Sequence, residues 1–378
     1  MKSIHMCLIL IVGVLAAAGA RPAPAVFDQE ETLQVTRARA RAQTTRSSGR
    51  CLCADSDGNA HMTWEDGRYP NEFEIYYAST SGESLLPEIR ITRTPSESSY
   101  PAIACGGRDV YIVWEEAIGT DSEIFCVHLR DRKEVARLQV TDTNLDSSCP
   151  VCAVGPDGAV HLAWHEGPFQ QTGIYYAKIV GDSVVATEPI CTRHPEAFRP
   201  DIACDSKGRV LILWYEGTEV KSRMWDGEAW GEEKLAASLE SKPWRLSVAA
   251  LPAGGWVGTW FHRSDAGEQV MIGFFDGDQW YGQTMVSGNR FAYYPNVAAL
   301  DDGGFVIGWE ERVSDLDQHT IAITAFDGGR WGPPMDIYRD HVNGRYVSLA
   351  SHGDVLHALW FSGRTGSNEI YYSRLRKL

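Results

Sequence analysis

The sequence predicts an all-β fold: a seven-bladed β-propeller with four antiparallel strands per blade, in which the N-terminal strand closes the last blade. Three observations carry this. First, the stretch Val110-Tyr111-Ile112-Val113-Trp114-Glu115-Glu116 is written in variant form seven times. Its tryptophan returns as Trp64, Trp114, Trp164, Trp214, Trp260, Trp309 and Trp360, at spacings of 50, 50, 50, 46, 49 and 51 residues. A period of about 50 residues built from short apolar strands and turn residues belongs to a propeller blade, whereas helical repeats are shorter and lack the strand pattern. Second, 36 glycines and 11% aromatic residues suit many short strands joined by tight turns. Third, Leu33-Gln34-Val35-Thr36 has a twin in Leu138-Gln139-Val140-Thr141, the last strand of the second repeat, while the seventh repeat stops at Tyr371-Tyr372-Ser373-Arg374 with no fourth strand. Pairing the N-terminal strand with the last repeat resolves both oddities and leaves no open sheet edge between the chain ends.

Residues 1–20 read as a secretory signal: Lys2 and His5, an apolar run from Met6 to Ala17, then Ala18-Gly19-Ala20 as a small-residue cleavage site. That run is short for a bilayer, and no later segment reaches the ~20 apolar residues of a membrane helix. The expectation is a secreted or periplasmic protein cleaved near Ala20, with no membrane span. Residues 21–31, rich in Pro and Ala, read as a linker, and 32–378 as one propeller.

Each unit opens with a strand such as Tyr100-Pro101-Ala102-Ile103-Ala104, Arg199-Pro200-Asp201-Ile202-Ala203 or Tyr294-Pro295-Asn296-Val297-Ala298. A glycine turn such as Asp205-Ser206-Lys207-Gly208 makes a hairpin into the tryptophan strand, which is apolar on both faces because neighbouring blades cover both. Burying one Trp takes about 150–250 Å² from water, worth about 4–6 kcal/mol as an upper bound, so the column is first a core feature. The third strand reads Glu74-Ile75-Tyr76-Tyr77, echoed at Gly173-Ile174-Tyr175-Tyr176 and Glu369-Ile370-Tyr371-Tyr372. Blades four to six carry Asp226-Gly227-Glu228-Ala229-Trp230, Asp276-Gly277-Asp278-Gln279-Trp280 and Asp327-Gly328-Gly329-Arg330-Trp331, three copies of a D-G-x-x-W turn with a packed Trp.

A formal charge of −15 argues against non-specific nucleic-acid binding, which depends on basic groups neutralising phosphates. The cysteines of the expected mature chain crowd into its first half, mostly at the first strand of a repeat, and read as small apolar residues packed between blades. Cys149-Pro150-Val151-Cys152 has no second pair at metal spacing, and Asp55-Ser56-Asp57-Gly58-Asn59 sits at the phase of an ordinary hairpin turn. No metal and no cofactor is expected. His61, His161 and His357 each precede their Trp by three and read as satisfied repeat-column residues.

The D-G-x-x-W turns resemble a shortened Asp box, and the strand Trp followed by acids and then Glu-Ile-Tyr-Tyr is similar to secreted sialidase-like propellers with BNR repeats. The resemblance covers about residues 32–378. It implies a carbohydrate ligand, in particular an acidic sugar held by an arginine cluster, with a tyrosine nucleophile, a partner glutamate and an aspartate acid/base. Phe198-Arg199-Pro200 resembles the start of the Phe-Arg-Ile-Pro motif that supplies one such arginine.

Topology places blade-to-blade loops and the exits of the Trp strands on one face, where the resembling families bind ligand. Two columns reach that face. Two residues after each Trp come Asp66, Glu116, Glu166, Glu216, His262, Glu311 and Ser362, and ahead of the innermost strands come Tyr100, Arg199, Arg245, Tyr294 and Arg345. Arginine holds a carboxylate bidentately, and a nearby carboxylate supplies an acid or base. Tyr294, Tyr346, Glu216, Glu311 and Asp66 are thus the catalytic candidates. Arg199, Arg245, Arg345, Tyr100, Trp244 and His262 are the binding candidates. The same arginines serve equally as structural partners of the acidic ring, and Trp244 as either a sugar platform or a packed loop anchor. His165, His194, His262 and His341, with a Tyr and an Arg, would suit a uronate lyase. The expected function is a monomeric, sialidase-like, carbohydrate-binding propeller with possible exo-glycosidase activity. A non-catalytic lectin or interaction propeller and a uronate lyase are the alternatives.

Overall fold

The computed structural model describes residues 26–36, 41–45, 48–69, 72–168, 171–192, 196–265, 267–288, 291–313, 318–327, 329–337, 343–363 and 367–378. All regular structure among them is strand, arranged in seven sheets whose members pair antiparallel. Each tryptophan of the repeat is at most 1% exposed. Blade two shows the plan: Ser98–Gly106 innermost, then Asp109–Ile118, Asp121–Arg130 and Lys133–Gln139 at the rim. Seven separate apolar clusters hold the ring, one between each consecutive pair of blades. The last of them packs Leu359, Phe361 and Tyr372 of blade seven against Leu52, Met62 and Trp64 of blade one.

Closure follows the predicted register. Leu33 pairs with Tyr372, Gln34 with Tyr371, and Val35 donates its backbone N–H to Ile370 O at 2.8 Å. The sealing strand, Phe27–Gln34, starts earlier than the sequence indicates. Residues 27–31, expected as linker, extend it because Phe27 is buried in the core between blades six and seven, and a bulge between Gln29 and Thr32 adjusts the register.

Innermost strands from all seven blades line a central channel, through residues such as Ala54, Cys105, Val154, Cys204, Ala250, Ala299 and Ser351, with a free volume of about 260 Å³. Cys53 and Cys105 form a disulfide between the inner strands of blades one and two, which the packing reading of the cysteines did not single out. Cys51, Cys126, Cys149, Cys152 and Cys191 are buried as that reading has it.

Blade one breaks the pattern. Its inner strand is split into Ala42–Gln43, paired with Asp66 and Glu65, and Leu52–Ala54, paired with Met62 to Ala60. Between them, residues 44–45 and 48–50 form an excursion that bonds three other blades. Thr44 Oγ1 donates to Tyr346 O in blade seven, Ser48 O accepts from Arg245 in blade five, and Arg50 makes a two-pronged contact with Asp201 in blade four at 2.8 and 3.0 Å.

Two of the three D-G-x-x-W turns are capped by their aspartates. Asp226 Oδ1 accepts from the backbone N–H groups of Glu228 and Ala229, and Asp276 Oδ1 does the same for Asp278 and Gln279. Gly328 of the third copy lies outside the described residues. Asp55 Oδ1 likewise accepts from Asp57 and Asn59, as an ordinary hairpin turn requires. His61, His161 and His357 each hold a third-strand tyrosine hydroxyl at 2.7 Å through Nδ1, so the three are internal repeat contacts.

Candidate ligand site

At the mouth, a β-bulge interrupts the pairing of the first and second strands in blades two, three, four, six and seven. The residue at the bulge is left-handed in each: Tyr100 (φ 51), Cys149 (φ 54), Arg199 (φ 48), Tyr294 (φ 51) and Tyr346 (φ 53). Such a conformation costs a non-glycine residue about 1–2 kcal/mol, so something must hold it. In two blades the holder is a carboxylate from the preceding blade: Glu65 Oε2 accepts from Tyr100 N at 2.8 Å and Glu115 Oε2 from Cys149 N at 2.9 Å. Tyr346, rather than Arg345, occupies the column in blade seven, because Tyr346-Val347-Ser348-Leu349-Ala350 takes the place of Tyr100-Pro101-Ala102-Ile103-Ala104 at the same bulge.

Two clefts open beside this column. The first, about 530 Å³, is lined by Tyr100, Glu115, Ser148, Cys149, His165, Glu196, Phe198, Arg199, Tyr215, Lys242 and Trp244. The second, about 460 Å³, is lined by Ser241, Lys242, Trp244, Phe261, Arg263, Tyr293 and Tyr294. Trp244 stands between them, 46% exposed, with the Arg199 guanidinium 5.4 Å from its ring centre. Lys242 Nζ bonds Glu196 at 3.0 Å and lies 5.1 Å from the Phe198 ring.

The chemistry of the first cleft centres on Glu115. Burial pushes its carboxyl up to about 8, the charge of Glu65 adds to the rise, and the Cys149 N–H and Ser148 hydroxyl partly offset it. At neutral pH it is a proton donor. Tyr100 is pushed up to about 12, first by burial, and stays a neutral phenol. His165 is pushed down to about 3 by burial and then by the charge of Arg199, so its ring is uncharged. A neutral acid, a second carboxylate in Glu196, a guanidinium and an exposed indole share one wall, a set able to grip and protonate a polar, ring-shaped ligand.

No family model matches the chain, and no curated protein matches it in sequence. Solved structures do. A protein of unknown function from Dyadobacter fermentans aligns over 76% of this chain and 96% of its own, with TM-score 0.56 and 13% identity. The phage phi92 endosialidase aligns over 93% and 69%, with TM-score 0.53 and 8% identity. The Penicillium chrysogenum α-L-arabinanase, solved with arabinobiose, aligns over 74% and 93%, with TM-score 0.52 and 13% identity. At these identities what is shared is the fold: the chain has the architecture of the sialidase- and arabinanase-like propellers.

Four of the sequence candidates meet at the two clefts: Tyr100 and Arg199 in the first, Tyr294 in the second, and Trp244 in both. Tyr346 stands edge-on to Tyr294 with ring centres 4.7 Å apart. Arg345 pairs with Glu310 at 3.4 Å, and His319 Nδ1 reaches the same oxygen at 2.7 Å. Arg245 is fully buried beneath the blade-one excursion, where Nη2 donates to Ser48 O at 2.6 Å and to Val347 O at 3.1 Å. The acids two places after each Trp are internally engaged. Glu311 accepts from the Trp309 indole at 2.9 Å, Glu216 bonds Lys221 at 2.8 Å, and buried Asp66 bonds Arg68 Nε at 2.9 Å. His262 is half-buried and lines neither cleft, burial holding its pKa below the usual value. His194 and His341 lie outside the described residues.

Glu115, Glu196 and Lys242 were not singled out from the sequence. For Glu115 the available signal was the position one after each Trp, which reads Glu65, Glu115, His165, Tyr215, Phe261, Glu310 and Phe361. Its lack of uniformity marks a surface that is not merely repeated packing.

Proposed function

We propose that this chain is an exported carbohydrate-binding propeller that takes an acidic sugar in the cleft of Tyr100, Glu115, Arg199 and Trp244 and cleaves its glycosidic bond. The observation that carries the reading is Glu115, a carboxyl held protonated at neutral pH in the same cleft as a guanidinium and an exposed indole. Arg199 holds the sugar carboxylate, Trp244 stacks on a C–H face of the ring, and Glu115 gives its proton to the leaving oxygen. Glu196, the other carboxylate on this wall, serves as the base or nucleophile that a two-carboxylate hydrolysis requires. Two fold neighbours are named for activity on glycans, which supports the ligand class, and the Asp-capped turns support the likeness to Asp boxes. The disulfide supports export, since such bonds persist in oxidising compartments.

The test is incubation with sialylated glycans and with uronic-acid polysaccharides, reading released sugar and new reducing ends. Hydrolysis that Glu115→Gln abolishes while glycan binding persists supports the enzyme. Binding without hydrolysis in the wild type would identify a lectin. An unsaturated product would identify a lyase, the reading favoured by the presence of His165, Tyr100 and Arg199 in one cleft. Against it stands His165 itself, whose pKa of about 3 makes it a weak proton acceptor beside Glu115.

A further inference from the structure

Lys242 and Trp244 wall both clefts, so the two volumes are neighbours across one side chain rather than separate sites. Their charges differ. Lys242 is neutralised by Glu196 at 3.0 Å, and Arg263, the other cation of the second cleft, by Glu268 at 2.7 Å. Arg199 has no carboxylate partner among the described residues; its guanidinium touches only the Trp244 carbonyl, at 3.5 Å, and the Trp244 ring. An anion arriving at the groove therefore gains a full charge–charge contact at Arg199, while at Lys242 or Arg263 it must compete with a carboxylate already in place. The second cleft offers a different surface. Phe261 meets Tyr293 and Tyr294 edge-on, with ring centres 5.9 and 5.3 Å apart, and with Trp244 these rings make an aromatic wall suited to the C–H face of an uncharged sugar.

We propose that the clefts are two subsites of one groove, which recognises an oligosaccharide by placing an acidic residue against Arg199 and the adjoining neutral residue against Tyr293 and Tyr294, which pack on Phe261. This rests on the function proposed above and adds a minimum ligand length and an order of charge along the ligand. Trp244, which stacks on the acidic residue, is also the partition beside which the linkage to the second sugar passes.

Calorimetric titration of the full chain, using Glu115→Gln to prevent turnover, tests it. The probes are glucuronic acid and N-acetylneuraminic acid as acidic monosaccharides, glucuronosyl-xylose and sialyllactose as their extended forms, and xylobiose and lactose as neutral controls. The expected result is that at least one extended acidic probe binds tenfold or more tighter than its monosaccharide. Tyr293→Ala should erase that gain without weakening the monosaccharide, and Arg199→Ala should weaken both. Trp244→Ala, at an exposed position that the core does not need, should weaken every acidic probe. Equal affinity of monosaccharide and extended form, or a Tyr293→Ala effect equal on both, overturns the two-subsite groove while leaving the acidic-sugar reading intact. Failure of every acidic probe to bind overturns that reading itself.

Discussion

The Trp114 indole donates through Nε1 to Glu116 Oε2 at 3.0 Å, two residues further along the same strand. The clasp recurs from Trp164 to Glu166 at 2.9 Å and from Trp309 to Glu311 at 2.9 Å. In these three blades the carboxylate accepts the N–H of a buried indole, a donor that is costly to leave unmet. Ser147 donates to the same Glu166 oxygen at 3.0 Å. Glu166→Ala should therefore strand an indole N–H and a hydroxyl, and lower unfolding stability by about 1–3 kcal/mol in urea titrations. Glycan binding should be unchanged. Lost binding at unchanged stability would return this column to the ligand site.

Glu115 gives a pH signature. Its folded pKa of about 8 lies above the ordinary carboxyl value of 4.5, so the proton it holds favours the folded state. That contribution is complete below about 4.5 and is lost as pH rises to about 8. Glu115→Gln cannot ionise. Urea midpoints at pH 5, 7 and 9 should show the variant gaining on the wild type as pH rises, while wild-type hydrolysis falls away above about pH 8. A constant difference between the two proteins would mean that Glu115 ionises like an exposed acid.

These two acids show what the sequence could reveal. Fold was legible because it repeats: seven tryptophans in phase, an orphan strand near the N-terminus and a seventh repeat short of its fourth strand, whose register, Leu33 beside Tyr372, follows from matching the two. The candidate site was legible in part. Side chains alternate along a strand, so Glu116, Glu166 and Glu311 of the conspicuous acidic column turn toward their own indoles, and the less uniform column beside it supplies Glu65 and Glu115 to the mouth. Arg199 and Trp244 were found because they stand in loop and bulge positions. Arg245 shares Arg199's place in the repeat, yet it is fully buried and donates to Ser48 O of blade one, and packing from a distant stretch of chain leaves no local pattern.

Ring closure rests on the strand that reaches blade seven from the far end of the chain. Thr36 Oγ1 bonds the buried Glu369 carboxylate and accepts from Ile370 N at 3.0 Å, while Gln29 Nε2 donates to Ile337 O at 2.6 Å. Leu33→Pro would remove a ladder donor and strain the pairing with Tyr372. A loss of about 3 kcal/mol or more is expected, with early fraying of blade seven in hydrogen exchange. Protection of the Glu369–Lys377 strand that matches wild type would show that blade seven holds without its fourth strand.

Arg245 makes the last test, because its place in the repeat and its surroundings point in opposite directions. Its guanidinium is fully buried, and Nε and Nη1 have no partner among the described residues. Burial pulls its pKa down to about 10, so the group still carries its charge at neutral pH, and the charged form is disfavoured by the fold at every pH below that value. Asp201, the nearby acid that could neutralise it, is taken up in its two-pronged contact with Arg50. Replacing a buried charge that lacks a carboxylate partner with an apolar side chain of similar length is close to neutral or stabilising, offset here by the loss of donors to Ser48 O and Val347 O. Arg245→Met should therefore unfold within about 1–2 kcal/mol of wild type. It should bind acidic sugars as the wild type does, whereas Arg199→Ala weakens them tenfold or more. If Arg245→Met instead keeps its fold and loses the acidic ligand, Arg245 reaches the sugar, and the arginine cluster expected from the sequence is the anion site.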